Sequence, residues 1–182
     1  MNYIELNNQV IIRDENGKYQ LNKDKEALKS YLEDYIEPKM KKFDNLNDRL
    51  NYLVENDYYS KEILDLYDQY VIDVIYDFIR AKNFKFQSYM SASKFYQNYA
   101  LKSNDGEEIL ENYEDKVLIV ALTLGNGEPK LAKDIAEKLI NQEFQPATPT
   151  FLNAGRARGG KMVSCFLVNV EDSCEGISYA VS

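Results

Sequence analysis

Apolar residues recur at three- and four-residue spacing through most of the chain before residue 141, and this spacing is the period of one face of an α-helix. Capping residues at the start and proline or asparagine at the end suggest where the helices begin and stop. The aromatic stretch 84–100 has the same spacing and is interpreted as a wall of the core rather than a stacking platform. The pattern predicts a mainly α fold with helices at 22–37, 45–56, 61–67, 69–82, 90–99 and 113–125, and another that starts at Pro129.

Two glycine-containing turns interrupt the helical pattern. Asn16-Gly17 lies between β-prone residues, and Asn104-Asp105-Gly106 lies between short extended pieces. Glycine accepts positive φ freely, so such turns are typical of β-hairpins. We therefore expect short hairpins near 9–21 and 99–110.

The character of the sequence changes after Phe144. Two prolines, at 146 and 149, favour an extended backbone and argue against a helix there. Residues 161–170 then alternate between the two faces of a strand, which predicts a buried edge strand. Residues 171–173 look like a strand exit and a helix cap, and we expect the chain to stop inside the helix that follows.

The charge balance is acidic, with 22 Lys and Arg residues against 30 Asp and Glu residues and a formal net charge of −8. Nucleic-acid binding depends on clustered cations, so we expect no nucleic-acid partner. The lack of histidine excludes Ser-His-Asp and Cys-His nucleophile systems and His-ligated zinc, and we expect no metal site in this chain. The chain does not open like a signal peptide, and its apolar runs are far shorter than the ~20 residues that cross a bilayer. We therefore expect a cytoplasmic protein without a membrane partner.

Four residues in the last quarter of the chain are candidates for chemistry. Cys165 follows Ser164 on the predicted strand. It is either a reactive thiol or a small apolar residue that packs within a sheet. Thr148, between the two prolines, contacts a phosphate or merely caps a turn. Asp172 is a candidate helix N-cap. None of these residues fixes a function by itself.

The order and spacing of these residues carry more information than each residue alone. The segment FQPATPTFLNAGRARGGKMVSCFLVNVEDSCEG (144–176) resembles the link between the helical domain and the catalytic barrel of ribonucleotide reductase large subunits. FKFQSYMSASKFYQNYALKSNDG (84–106) and RLNYLVENDYY (49–59) are similar to the same family. The resemblance is closest to the class Ib, aerobic form, and it fits the lack of an obvious full-length nucleotide-binding cone.

The resemblance implies a division of the chain into three parts. Residues 1–83 are a helical segment with a leading hairpin, and 84–155 are the second part of the helical domain. Residues 156–182 open an α/β ten-stranded barrel that is otherwise absent. The expected fold class is therefore mainly α, with short hairpins and the first barrel strand.

The resemblance also implies a role for each candidate residue. Thr148 contacts the substrate diphosphate, and Ser164 and Cys165 line the substrate pocket on the first barrel strand. Cys165 is one of two reducing thiols, whose partner lies beyond residue 182. Asp172 marks the start of an effector site at the dimer interface, and Cys174 has no assigned role.

The implied function is reduction of ribonucleoside diphosphates to deoxyribonucleoside diphosphates by thiyl-radical chemistry, with this chain inactive alone. The chain itself holds no cofactor. The expected partners are the remainder of the large subunit, a small metal-containing subunit that supplies the radical, a thioredoxin- or glutaredoxin-like reductant, ribonucleoside diphosphates, nucleoside triphosphate effectors, and a second copy in a homodimer. The alternative is a helical interaction module or split-gene remnant without a catalytic role.

Overall fold

The computed structural model describes residues 1–165 and 167–181. Helices dominate this part of the chain, and their bounds follow in chain order. They are α1 (Tyr3–Gln9), α2 (Asn22–Ser30), a π-helical turn (Tyr31–Ile36), a 3-10 turn (Glu37–Lys39), α3 (Leu46–Glu55), α4 (Lys61–Leu64), α5 (Gln69–Ala81), α6 (Tyr89–Asn98), α7 (Tyr113–Gly125), α8 (Pro129–Ile140), α9 (Thr148–Asn153) and α10 (Cys174–Val181).

Helix α7 is the centre of the core. It is apolar on nearly every side, as expected for a helix surrounded by protein, and it packs mainly against α8 and α5. Asn112 caps its start through a reciprocal hydrogen-bond pair with Asp115. Gly125 ends the helix at a close approach, because a Cβ at this position would lie 2.7 Å from the Cβ of Ala132.

The predicted amphipathic helices are confirmed, with ends that differ by a few residues. Helix α5 turns Ile72, Ile75 and Ile79 inward, and α3 buries Leu50 and Leu53. These side chains repeat at helical spacing, so the apolar stripes seen in the sequence are the faces that form the core.

The helix predicted over 22–37 is present but changes its hydrogen-bonding pattern along its length. It begins as α2, continues as the π-helical turn and closes with the 3-10 turn that contains Pro38. Asn22 is the first helical residue rather than the cap, because Leu21 holds the N-cap position without a side-chain hydrogen bond.

The two predicted hairpins are not confirmed. Residues before 10 form α1, which Asn2 caps, and only an isolated bridge between Arg13 and Tyr19 remains of the first hairpin. The side chain of Asp14 accepts two backbone N–H groups of that turn, so local bonds replace a longer ladder. The second hairpin is likewise reduced to one antiparallel bridge, Lys102–Ile109.

The segment after Phe144 also departs from expectation. Thr148–Asn153 form the short helix α9, although the two prolines led us to expect an extended backbone. Pro149 lies in the first turn of α9, where a missing N–H costs no helical hydrogen bond. The prediction against a helix is therefore wrong at this position.

The barrel strand predicted at 161–170 is not confirmed. The described residues of this range, 161–165 and 167–170, are exposed and form no strand, and residue 166 lies outside the described residues. A strand needs a partner for its backbone groups, and the described part of the chain offers it none. Helix α10 follows as expected, although its prediction through residue 182 extends beyond the described residues.

Candidate functional site

Two cationic side chains, one buried and one partly buried, hold the short helix α9 against α7. Lys116 on α7 is fully buried, and its Nζ donates a hydrogen bond to the carbonyl oxygen of Leu152 at 3.1 Å. The Nε of Arg156 donates to the same oxygen at 3.3 Å. The last turn of α9 thus has a carbonyl that accepts from two cationic side chains, which suits the negative end of a helix.

Glu111 is the anion of this cluster, and it is also fully buried. Its carboxylate accepts from the hydroxyl of Tyr59 at 2.6 Å, the backbone N–H of Leu101 at 2.7 Å and Nη2 of Arg156 at 3.2 Å. Three donors compensate for the loss of water around the charge. Burial, followed by the nearby charge of Glu111, raises the pKa of Tyr59 well above its usual value, so this hydroxyl remains a donor.

Lys116 is less well compensated than Glu111. Burial lowers the pKa of Lys116 to about 8; the charge of Glu111 opposes this shift, and that of Arg156 adds to it. The ring of Phe151 lies 6.0 Å from Nζ. An ammonium group is therefore held in the core mainly by one carbonyl oxygen and by a carboxylate that it does not contact directly.

A second ion pair joins buried Asp115 of α7 to partly buried Arg49 of α3 and does not reach α9. Asp115 accepts from Arg49 and, at 2.8 Å, from the hydroxyl of Tyr76. Burial raises the pKa of Asp115 to about 6, although the positive charge of Arg49 and the N–H of Asn112 act in the opposite direction. This pair joins α3, α5 and α7.

Backbone hydrogen bonds attach the residues that follow α9 to the segment between α3 and α4. Ser60 donates to the carbonyl of Gly155 at 2.9 Å, and Ala157 donates to the carbonyl of Tyr58 at 3.0 Å. Gly155 has φ +71°, and a Cβ there would lie 2.1 Å from Cγ1 of Ile119. Glycine is thus required both for the backbone conformation and for contact with α7.

Side chains of α9 reach the segment that carries the candidate thiol. The hydroxyl of Thr150 donates to the carbonyl of Met162 at 2.8 Å, and Nδ2 of Asn153 donates to the carbonyl of Lys161 at 3.1 Å. Thr148 itself is exposed, and its Oγ1 lies 3.4 Å from the hydroxyl of Tyr99. The start of the segment that leads to Cys165 is therefore tied to α9.

The sequence-predicted residues are exposed and are not joined to one another. Ser164, Cys165 and Asp172 lie on the surface, and Cys165 and Cys174 are free thiols. Within the described part of the chain, no hydrogen bond links any of these residues to Thr148. The hydroxyl that caps α10 belongs to Ser173, which accepts the N–H of Gly176 at 3.0 Å, so Asp172 is not the side-chain cap that we expected.

The sequence analysis missed the cluster of buried Glu111 and Lys116 with partly buried Arg156. A signal for Lys116 was present, because it directly precedes the apolar run 117–122 of the same helix. Glu111 and Arg156 are 45 residues apart, and no local pattern connects them. In the described residues, no group of three or more Asp, Glu or Cys side chains is arranged to hold a metal ion. No described helix combines the length and the apolar character needed to span a bilayer.

This arrangement of a helical body with an anchored Thr-Pro helix agrees with two family models that cover adjoining parts of the chain. The model for the N-terminal region of ribonucleotide reductase matches residues 3–84. The model for the ribonucleotide reductase all-alpha domain matches residues 85–159. The chain belongs to the ribonucleotide reductase large-subunit family, of which it represents the N-terminal region.

The chain is also similar to curated proteins that are named as alpha subunits. The chain is 52% identical over 179 residues to the ribonucleoside-diphosphate reductase subunit alpha of Bacillus subtilis, a match that covers 98% of this chain and 25% of that protein. The alpha subunit of Mycoplasma genitalium is 40% identical over 180 residues, covering 99% of this chain and 24% of that protein. The chain spans about a quarter of the length of these relatives.

Proposed function

We propose that this region forms one wall of the substrate site in a class Ib ribonucleoside-diphosphate reductase, and that Cys165 is one of its reducing thiols. The observation that carries the proposal is the link between α9 and the thiol segment. Thr150 and Asn153 bind the carbonyls of Met162 and Lys161, just before the exposed thiol of Cys165.

The proposed chemistry removes the 2′ hydroxyl of the ribose. Cys165 and a second cysteine, from the part of the polypeptide after residue 182, together supply two protons and two electrons. The C2′–O bond breaks, the oxygen leaves as water, and a C2′–H bond forms. The two thiols finish as a disulfide, which a thioredoxin- or glutaredoxin-like protein then reduces. A thiyl radical on a further cysteine, generated through a small metal-containing subunit, starts the reaction and is restored at its end.

The other predicted residues have binding roles in this proposal. Thr148 contacts the diphosphate of the substrate, and Ser164 lines the pocket beside Cys165. Asp172 begins the effector site for nucleoside triphosphates at the interface of a homodimer. The exposure of all four side chains supports these roles, because each is available to a ligand or to the rest of the subunit. We also propose that the complete enzyme acts in the cytoplasm.

A chimeric alpha subunit tests this function. Residues 1–182 are joined to the remaining part of the Bacillus subtilis alpha subunit, mixed with the small subunit and dithiothreitol, and supplied with CDP. We expect formation of dCDP, measured by chromatography. Cys165→Ser abolishes sustained turnover, because a serine cannot form the disulfide.

Cys174→Ser is the matched control, since Cys174 is also exposed and has no role in the reaction. It retains the activity of the unmodified chimera. If Cys165→Ser keeps full turnover, Cys165 is not a reducing thiol. A chimera that folds and binds the small subunit but never forms dCDP favours a helical interaction module instead.

A further inference from the structure

Two cationic side chains, the buried Lys116 and the partly buried Arg156, meet at a single carbonyl oxygen at the end of α9. Nζ of Lys116 lies 3.1 Å and Nε of Arg156 lies 3.3 Å from the carbonyl oxygen of Leu152. Lys116 comes from the central helix α7, whereas Arg156 follows α9 in the chain. These contacts fix the end of α9 to the most buried helix of the protein.

Arg156 also donates hydrogen bonds to two residues outside α7 and α9. Its Nη2 donates to the carbonyl of Tyr99 at 3.1 Å and to Glu111 at 3.2 Å. Glu111 is held in turn by the hydroxyl of Tyr59 and the N–H of Leu101. The guanidinium group, which cannot lose its proton, therefore has a carboxylate and two carbonyl oxygens as fixed acceptors.

Thr148 lies at the other end of the same short helix. Leu152 lies four positions further along the chain, which corresponds to about 6 Å along an α-helix. Tyr99 contacts both ends of this unit: its hydroxyl lies 3.4 Å from Oγ1 of Thr148, and its carbonyl accepts from Arg156. A displacement at the Leu152 end therefore also moves Thr148.

The stability of the folded protein does not by itself explain the lysine at position 116. The carbonyl of Leu152 already accepts from Arg156, so removal of Lys116 leaves it paired. A buried charge is unfavourable, and an apolar side chain of similar length is often equally or more stable in such a place. The direction of the Lys116 pKa shift agrees with this view, because burial disfavours the charged form.

We propose that Lys116 and Arg156 are positioning residues that hold α9 so that Thr148 meets the diphosphate of a ribonucleoside diphosphate. The proposal rests on the proposed function, since it assigns the same ligand to Thr148. It adds that binding of the diphosphate depends on two side chains that never touch it.

Lys116→Met in the chimeric alpha subunit tests the proposal. The substitution keeps the length of the side chain and removes the hydrogen bond to Leu152. We expect KM for CDP to rise about threefold to tenfold, as for loss of one ordinary hydrogen bond, because the effect reaches Thr148 only indirectly, with kcat within about twofold of the unmodified chimera. The melting temperature is unchanged or higher.

Asp115→Asn is the matched control. Asp115 is the neighbouring buried charge on α7, but its partners Arg49 and Tyr76 lie away from α9. We expect this variant to lower the melting temperature and to leave KM for CDP unchanged. An equal rise of KM in both variants means a general loosening of the core and overturns the proposal, as does an unchanged KM in Lys116→Met.

A direct binding measurement separates failure of this proposal from failure of the proposed function. Equilibrium dialysis with radiolabelled CDP needs no turnover. If the unmodified chimera forms no dCDP, the reductase assignment fails, and dialysis still decides the positioning role. Weaker CDP binding by Lys116→Met than by the unmodified chimera and Asp115→Asn supports it, and equal binding by all three, including no binding at all, overturns it.

Discussion

The buried charges of Glu111 and Lys116 differ in how well neighbouring groups stabilise them. Glu111 accepts three hydrogen bonds, two of them from donors other than Arg156, and so is stabilised by neutral as well as charged groups. Lys116 has the carbonyl of Leu152, and its nearest opposite charge is not in direct contact. Removal of the proton from Lys116 therefore relieves an unfavourable burial, whereas the charge of Glu111 is well solvated by protein.

Lys116 gives the stability of the protein a specific pH dependence. Its pKa is about 8 in the folded chain and near 10.5 in the unfolded chain. Between these values the unfolded chain holds a proton that the folded chain has released, so the free energy of unfolding rises with pH. Relative to Lys116→Met, we expect the wild type to gain on the order of 2 kcal/mol from pH 7 to pH 10.

Urea denaturation of both variants across this range measures the effect. The comparison cancels the opposite contribution of buried tyrosines such as Tyr59, whose raised pKa lowers stability at still higher pH in both proteins. Glu111 and Arg156, the charged groups that face Lys116, are also common to both. A constant difference between the two variants contradicts the burial of a charged Lys116.

Residues that belong to a local motif could be proposed from the sequence, and their roles stay predictions, whereas residues that meet only through the fold could not be proposed. Thr148, Ser164 and Cys165 stand in one continuous stretch whose order indicates the family. Glu111 and Arg156 come from distant parts of the chain, and the helices bring them together only after folding. Their importance becomes visible through burial and hydrogen bonding, which the sequence does not contain.

At the scale of secondary structure, apolar periodicity predicted the helices that have one buried face. Periodicity was a less accurate predictor where short-range hydrogen bonds determine the backbone conformation. Helix α9 forms because Pro149 lies in its first turn and because α7 holds its end, neither of which follows from composition. The strand predicted over 161–170 requires a neighbouring strand, and alternation along one segment cannot supply that partner.

The close packing of the end of α9 against α7 depends on Gly155. In Gly155→Ala, the new Cβ meets Ile119 at 2.1 Å, and alanine must also adopt φ +71°. We expect a loss of about 3 kcal/mol or more in the free energy of unfolding, from strain and overpacking together. Urea denaturation followed by circular dichroism measures it.

Gly17→Ala is the control for backbone strain alone. Gly17 has φ +75°, but nothing lies within 4 Å of the position of its Cβ. Its substitution should lose only about 1 kcal/mol. Equal losses in the two variants would mean that contact with Ile119 contributes nothing.

At the scale of the whole molecule, the segment after α9 carries several exposed apolar side chains. Val163, Leu167, Val168 and Val170 are exposed in succession after α9, with Leu167 exposed over its full side chain. Exposed apolar segments of this kind promote association. The family resemblance implies that this segment lies beside a catalytic barrel, and we propose that the rest of the subunit covers it.

The isolated 182-residue chain should therefore self-associate. Light scattering over a concentration series is expected to give a mass that rises with concentration. Replacement of Leu167 and Val168 by lysine should shift the chain towards monomer, whereas the same change at two exposed residues of α10, Ile177 and Tyr179, should have a smaller effect. A wild-type chain that remains monomeric and melts cooperatively contradicts this account.

The most direct test of the central claim follows the thiol of Cys165 through one catalytic cycle. The chimeric alpha subunit is reduced, freed of dithiothreitol and allowed to turn over CDP once with the small subunit. Free thiols are then alkylated and identified by mass spectrometry. Cys165 is expected to escape alkylation in proportion to the dCDP formed, while Cys174 is alkylated throughout. If dCDP forms and Cys165 is still fully alkylated, Cys165 is not a reducing thiol of this enzyme.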